Sequence, residues 1–450
     1  MKTLSQNSIY KLSLKDELQR DDLFMIYAPL SGNVLLASDA ECKQIEDAML
    51  DTSEECTSEL KDIVEPLTYI DEKSISSGKV NNVDEFLLMY VLPNYICNFS
   101  CSYCFSAKGR SNKAIDKDKL KTAIDYFIDP ERVRSRELAI TFLGGGEPIL
   151  SWDILKFGIE YGYGLAENYG FKLYTTIVTN GSRITEEMVE LFSKYGIGVR
   201  VSFEILEEIQ NKQRGQYENV CRGIDLLSKG VVPPMVRSMI TPDNVRLMPV
   251  MIEKLHERFP KIKTVLFDPI TSSDAFNDVG KTISFYDTYY EKFFEARKLA
   301  MKYGIELGCA PLRNLNMIVE RYCTGEFCLT PEGTITLCHQ ISSPLENNYA
   351  NYIYARINDD NSLNIDNEKF RNLVSQHTIY TNPKCANCFV KWNCGGGCMM
   401  RNNQYRPEIL DIVCDSTRKF SKTLLFERLK EQYEESEKMS LNDYIKQNYQ

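Results

Sequence analysis

The stretch Cys97-Asn98-Phe99-Ser100-Cys101-Ser102-Tyr103-Cys104 places three thiols, spaced CxxxCxxC, within eight residues. A cubane iron–sulfur cluster wants four thiolates. Three thiolates from one short loop leave one iron without a protein ligand, and an open metal position is where catalysis, as opposed to structure, usually happens. An apolar run at 86–92 leads straight into the loop, which therefore reads as the end of a strand.

Beyond it, short apolar or β-branched runs at 138–143, 173–179, 199–203, 235–240 and 264–267 alternate with amphipathic stretches such as 117–128, 185–194 and 217–229. That is βα repetition of a parallel sheet. About six such units between 86 and 305 predict an α/β fold, either an open doubly wound sheet or a partial barrel. In both, ligands gather at the C-terminal ends of the strands, the face on which the cysteine loop falls. Directly after the 138–143 run comes Gly144-Gly145-Gly146-Glu147-Pro148. Its glycines let backbone approach a ligand closely, and its glutamate offers an acceptor for an ammonium group. A glycine run after a strand is by itself most often a tight turn; beside the thiols it reads as a second half of the same site.

Composition narrows the function classes. At 450 residues, with 43% hydrophobic and 26% charged side chains, the chain holds two or three domains with ordinary cores. A formal charge of -10 argues against a nonspecific phosphate-binding surface, so no nucleic-acid partner is expected, although the net charge leaves room for a local basic groove. No apolar run reaches the ~18 residues of a membrane span, and residues 1–20 are polar and mixed in charge, unlike a signal peptide. A cytoplasmic setting follows. There, fifteen cysteines, several as CxxC pairs, point to metal ligation over disulfides.

CxxxCxxC after the first strand and GGEP after the second resemble the radical S-adenosylmethionine (SAM) superfamily. The resemblance covers roughly residues 86–305 and implies a partial (β/α)6 TIM-type barrel. Its [4Fe-4S] cluster would be held by Cys97, Cys101 and Cys104, with the amine and carboxylate of SAM filling the open iron. Reduction in that family cleaves SAM to methionine and a 5'-deoxyadenosyl radical. The resemblance further implies Tyr103 against the adenine and Gly145, Gly146 and Glu147 at the methionyl amine. Asn180 and Ser202, both at strand ends, would supply polar contacts to SAM, and Arg214 would lie near its carboxylate. Where relatives often carry Ser-Leu-Asp-Gly, this chain has Ser202-Phe203-Glu204-Ile205.

Eight further cysteines lie between residues 323 and 414, enough for two complete tetrathiolate sites. From the residues alone, a CxxC pair with two more cysteines is equally a tetrahedral zinc site. The glycines Gly395, Gly396 and Gly397 suit either metal, and spacing does not separate them. The pattern resembles the SPASM extension of radical SAM enzymes, which implies auxiliary cluster I on Cys323, Cys328, Cys338 and Cys398, and auxiliary cluster II on Cys385, Cys388, Cys394 and Cys414. That makes three [4Fe-4S] clusters in all. Full ligation of both auxiliary clusters favours electron relay over substrate ligation. Cys42, Cys56, Cys221 and Cys309 fall outside both motifs and read as small buried hydrophobes.

The expected organisation is a small α+β module over 1–85, the core over 86–305, an auxiliary-cluster domain over 306–425 and a helix or tail over 426–450. Within the module, strands at 23–27 and 34–37 flank a turn, a helix follows, and 74–82 reads as a linker. The module faintly resembles the peptide-recognition element of peptide maturases; a structural embellishment is the competing reading. SPASM enzymes mostly modify peptides or proteins. The expected function is therefore a peptide maturase that cross-links a ribosomally made precursor peptide through a carbon–carbon or thioether bond, with a flavodoxin or ferredoxin as reductant. Sulfatase maturation, which makes formylglycine, is the rival enzyme reading, and a cluster-bearing electron carrier or peptide-binding scaffold the non-enzymatic one. In sulfatase maturases an aspartate follows the third auxiliary ligand; here His339 follows Cys338, which makes His339 a candidate base.

Overall fold

The computed structural model describes residues 2–3, 9–50, 58–70, 75, 80–271, 276 and 278–449. Cys56 and most of the 74–82 stretch lie outside them. The chain forms two compact units, one of residues 1–79, 310–323 and 377–450, the other of 80–309 and 324–376.

The second unit is built on one sheet. Its strands are β5 (Leu88–Val91), β6 (Glu137–Phe142), β7 (Lys172–Thr179), β8 (Gly198–Ser202), β9 (Met235–Ile240), β10 (Thr264–Pro269), β11 (Glu306–Gly308), β12 (Phe327–Leu329), β13 (Thr334–Thr336), β14 (Ile353–Ile357) and β15 (Leu363–Ile365), the first four strands of the chain belonging to the other unit. Neighbours run in the order β11-β10-β9-β8-β7-β6-β5-β12-β13-β14-β15. From β11 through β12 every pairing is parallel; the last three strands add an antiparallel meander. β5 pairs with β12 and not with β11, so the parallel array is open, as the partial barrel requires.

Helices connect the parallel strands, and the sequence explains them. Thr185 caps Glu186–Tyr195 by accepting from the Met188 backbone N–H, and Gly196 ends it in the left-handed conformation. Tyr217–Leu227 buries Val220, Cys221, Ile224 and Leu227, an i, i+1, i+4, i+7 stripe of one helical face. In β6 through β9 burial alternates strictly: Val199 and Val201 are buried, whereas Gly198, Arg200 and Ser202 are only half-buried. Parallel sheets are ordinarily covered on both faces. Here one face is left partly open, and it carries Tyr90, Thr141, Val178, Arg200, Ser202 and Arg237.

The first unit opens with an antiparallel sheet, β1 (Lys2–Thr3), β2 (Tyr10–Ser13), β3 (Leu23–Ala28) and β4 (Asn33–Ser38), followed by helices Asp39–Leu50 and Ser58–Thr68. Ile9, Ile26, Ala28, Ala37, Cys42, Ile45 and Leu67 form its core. Asn393 knots the unit together: its side chain accepts from the Tyr27 hydroxyl at 2.9 Å and donates to the carbonyls of Leu315 and Met317 at 3.0 Å. Helix Pro407–Ser436 packs on β4. Among the described residues no helix is long and apolar enough to cross a membrane.

Candidate functional site

The loop after β5 turns tightly around its thiols. Cys104 donates its backbone N–H to the Cys101 carbonyl at 3.2 Å, and Ser102 donates to the Gln213 carbonyl at 2.9 Å. Burial raises the Cys97 and Cys101 thiols, with the Cys104 sulfur adding to the rise at each and Cys97 adding at Cys101. Arg110 crosses the loop behind them. One of its terminal nitrogens donates to the Phe99 carbonyl, and the other to Cys104 Sγ at 3.3 Å.

The glycine motif is laced to this loop by backbone. Gly146 donates to the Asn94 carbonyl at 3.1 Å and Glu147 to that of Ile96 at 2.7 Å. A Cβ on Gly146 would stand 2.0 Å from the Ile96 oxygen, so only glycine permits the approach. Beyond it, the Glu147 carboxylate is buried and accepts from the Thr179 hydroxyl at 2.6 Å, the Asn180 N–H at 2.7 Å and the Ile149 N–H at 3.2 Å. Burial raises its pKa even so. A carboxylate offers about four acceptor sites, which leaves one for a ligand amine. Asn180 in turn donates its side-chain amide to Asn98 Oδ1 at 2.9 Å, inside the cysteine loop.

Tyr103 belongs to a third buried group. Its hydroxyl donates to Glu204 and accepts from Arg214 at 2.9 Å. Glu204 also accepts from the Ser238 hydroxyl at 2.5 Å and the Met239 N–H at 3.2 Å. Burial pushes the carboxyl of Glu204 and the phenol of Tyr103 up. Burial would lower the Arg214 guanidinium, but Tyr103, Cys101 and Glu204 outweigh it and raise it. Glu147 also feels Arg214, so thiols, glutamate and arginine share one end of the sheet. The adjoining Ile205 is buried with φ +67°, a backbone conformation that β-branched residues rarely adopt. The loop thus keeps the conformation that a glycine would adopt readily, although this chain spells it Ile. Ser202 ends β8 in register with Arg237.

The donor set fits a site-open cubane: three thiols on one tight loop and a cation against one sulfur. It also fits a ligand with an amine and a carboxylate, because Asn94 Oδ1, Gln213 Oε1 and Arg214 Nε are buried without a hydrogen-bond partner. Arg110, Glu204 and Asn98 were not foreseen from sequence. A cavity of about 310 Å³ at the starts of β8, β9 and β10, lined by Gly198, Arg200, Met235, Lys263 and Thr264, contains no thiol or carboxylate and plays no part in this chemistry.

Cys328 and Cys338 sit on and just after the β12–β13 hairpin, and each sulfur feels the other. His339 follows, its Nδ1 hydrogen-bonded to Glu326 at 2.8 Å and its backbone N–H donating to the same carboxylate at 2.7 Å. Its ring lies 5.7 Å from that of Phe105, the residue after Cys104.

Cys323 and Cys398 belong to the first unit, as do Cys385, Cys388, Cys394 and Cys414. Burial pushes Cys385 up to about 11 and Cys394 up to about 12, and Cys394 feels Cys388, Cys414 and Cys385. Arg418 reaches Cys388 Sγ at 3.9 Å while paired with Asp415. Cys42, Cys221 and Cys309 are buried.

Residues 91–244 match the sequence model of the Radical SAM superfamily. A cysteine-type anaerobic sulfatase-maturating enzyme of Clostridium novyi is 21% identical over 365 residues, 72% of this chain and 91% of that protein. The structure of native anSMEcpe with bound AdoMet and Kp18Cys peptide superposes with a TM-score of 0.60 at 16% identity, covering 76% of this chain and 98% of that one. Streptococcus suis SuiB bound to precursor peptide SuiA gives 0.51 at 13% identity, covering 89% and 98%. At such identities these two likenesses speak to the fold alone.

Proposed function

Because the chain carries a radical SAM domain, we propose that it is a SPASM-type maturase that abstracts hydrogen from a ribosomally synthesised precursor peptide and closes an intrapeptide carbon–carbon or thioether cross-link. The observation that carries this reading is the convergence of Cys97, Cys101 and Cys104 with Glu147 and Arg214 at one end of an open parallel sheet. When bound, the reduced cluster and SAM supply a 5'-deoxyadenosyl radical.

The chain's own residues hold and orient. Cys97, Cys101 and Cys104 ligate the cluster, and Glu147, through its remaining acceptor site, takes the methionyl amine beside Gly145 and Gly146. Arg214, locked by Tyr103 and Glu204, faces the carboxylate, while Asn180 and Ser202 supply further polar contacts. Tyr103 lies beside the adenine. Cys323, Cys328, Cys338 and Cys398 hold auxiliary cluster I, and Cys385, Cys388, Cys394 and Cys414 hold auxiliary cluster II. Fully ligated, such clusters would offer a relay for the one electron released when a substrate radical collapses, and a flavodoxin or ferredoxin would supply the priming electron in the cytoplasm, where thiols stay reduced. His339, with Glu326 fixing its ring, is the candidate proton acceptor nearest the loop.

Sulfatase maturation is the second reading, favoured by the length of the match to the Clostridium novyi enzyme. Glu326 also brings a carboxylate beside His339, where sulfatase maturases carry an aspartate. Anaerobic incubation of the reduced, reconstituted protein with SAM and a precursor peptide encoded beside it separates the readings. A peptide lighter by two hydrogens supports cross-linking, and an aldehyde supports formylglycine formation. Absence of 5'-deoxyadenosine would leave only the scaffold reading.

A further inference from the structure

Arg110 and Arg418 each hydrogen-bond a thiol of the proposed clusters, and they differ in how much charge they deliver. Arg110 donates to Cys104 Sγ at 3.3 Å and to the Phe99 carbonyl, and its Nε is buried with no partner. Among the described residues no carboxylate lies within ion-pair distance of it, and the charges that act on it are those of Cys104, Cys97 and Cys101. Arg418 stands farther from its sulfur, at 3.9 Å from Cys388, and its charge is offset by Asp415.

Hydrogen bonds and net charge at the sulfurs are what set the potential of an iron–sulfur cluster. A cation beside a ligand sulfur stabilises the state that carries one more electron. The full charge at Cys104 therefore acts strongly, and the compensated one at Cys388 acts weakly.

We infer that Arg110 is a positioning residue that closes the Phe99-to-Cys104 turn around the metal and raises the reduction potential of the cluster on Cys97, Cys101 and Cys104, whereas Arg418 leaves auxiliary cluster II nearly untuned. The inference rests on the cluster assignment proposed above. It adds that electron entry at the open cluster is eased by one side chain six residues past its last ligand. Removing that side chain makes the cluster harder to reduce while leaving its ligands intact.

The test is a redox titration of the anaerobically reconstituted full chain, monitored by the EPR signal that changes on adding SAM, in wild type, Arg110→Gln, Arg110→Lys and Arg418→Gln. Iron is quantified in each. Arg110→Gln should lower the reduced fraction of the SAM-sensitive cluster at fixed poise by about tenfold, equivalent to about 59 mV for a one-electron couple. Arg110→Lys should recover part of that shift, and Arg418→Gln should leave this cluster unmoved. A fully loaded Arg110→Gln protein with the wild-type potential overturns the inference and leaves the cluster assignment standing. A wild-type protein with no SAM-sensitive signal overturns both. If Arg110→Gln does not retain its cluster, wild-type and Arg418→Gln protein labelled with 15N-arginine decide the matter. A guanidinium nitrogen coupled to the reduced SAM-sensitive cluster supports the inference, and no coupling overturns it.

Discussion

The loop at 97–104 and the run at 385–414 gather thiols in opposite ways. The first takes all three of its thiols from eight consecutive residues, and backbone from Gly146 and Glu147 is laced to it. The second needs Cys414, sixteen residues past Cys398, delivered from within the long helix Pro407–Ser436. A local loop runs out of thiols at three; a fourth drawn from a helix completes the set. Exposure does not separate them, since Cys97, Cys101, Cys104, Cys388, Cys394 and Cys414 are all half-buried. In the ligand sets proposed above, an open cluster and a closed one would follow from where the chain finds its thiols.

The largest test of that contrast removes one thiol from each. Cys101→Ala should abolish 5'-deoxyadenosine formation and lose about 4 of about 12 iron atoms per chain. Cys394→Ala should lose a similar amount of iron yet still release 5'-deoxyadenosine from SAM, with no cross-linked peptide. Equal loss of SAM cleavage in both variants would erase the distinction, and zinc in place of the auxiliary iron would replace electron relay with structure.

Next in size is the helix. Chelating the metal, or Cys414→Ala, should speed amide exchange across 407–436 while the strands β6–β9 keep their protection, because only the second cluster is tied to that helix. Uniform loosening of both units would contradict it. Smaller again is Arg214→Gln, which removes the charge locked by Tyr103 and should weaken SAM binding about tenfold in an isothermal titration, as the loss of a charge-assisted hydrogen bond implies.

The smallest effect concerns pH. Glu147 and Glu204 are raised by burial above 4.5 in the folded chain. Their stabilising contribution is therefore complete below about pH 4.5 and is lost as pH rises through their folded values. The melting temperature of metal-free protein should fall across that mildly acidic window, and Glu147→Gln should make the fall shallower. A steeper fall would give the carboxylate the opposite role.

Much of this was legible before the fold was seen. Alternating runs located β6 to β10 to within a residue or two, because a strand with one helix-covered face repeats with period two. Pro331-Glu332-Gly333 is a readable turn sequence and closes the β12–β13 hairpin, where Gly333 has φ +75°. β11 and β12, three residues each, carry no readable pattern; only pairing with β10 and β5 makes them strands. Glu204 was passed over because its partner Tyr103 lies 101 residues away, and Glu326 because His339 reaches it across a hairpin. Arg110 was near in sequence but silent, since an arginine after a turn is ordinarily solvated. Motifs name the ligands of a site; the side chains that aim and charge those ligands come from the fold.

Mössbauer spectra of 57Fe-reconstituted protein, taken without and with SAM, test whether the proposed ligand sets leave a single iron open at Cys97, Cys101 and Cys104. About one iron in twelve should move to a new site with nitrogen and oxygen ligation when SAM is added, and Cys101→Ala should remove this site while Cys394→Ala keeps it. Spectra unchanged by SAM, or a shift that vanishes in Cys394→Ala and survives in Cys101→Ala, would contradict those ligand sets.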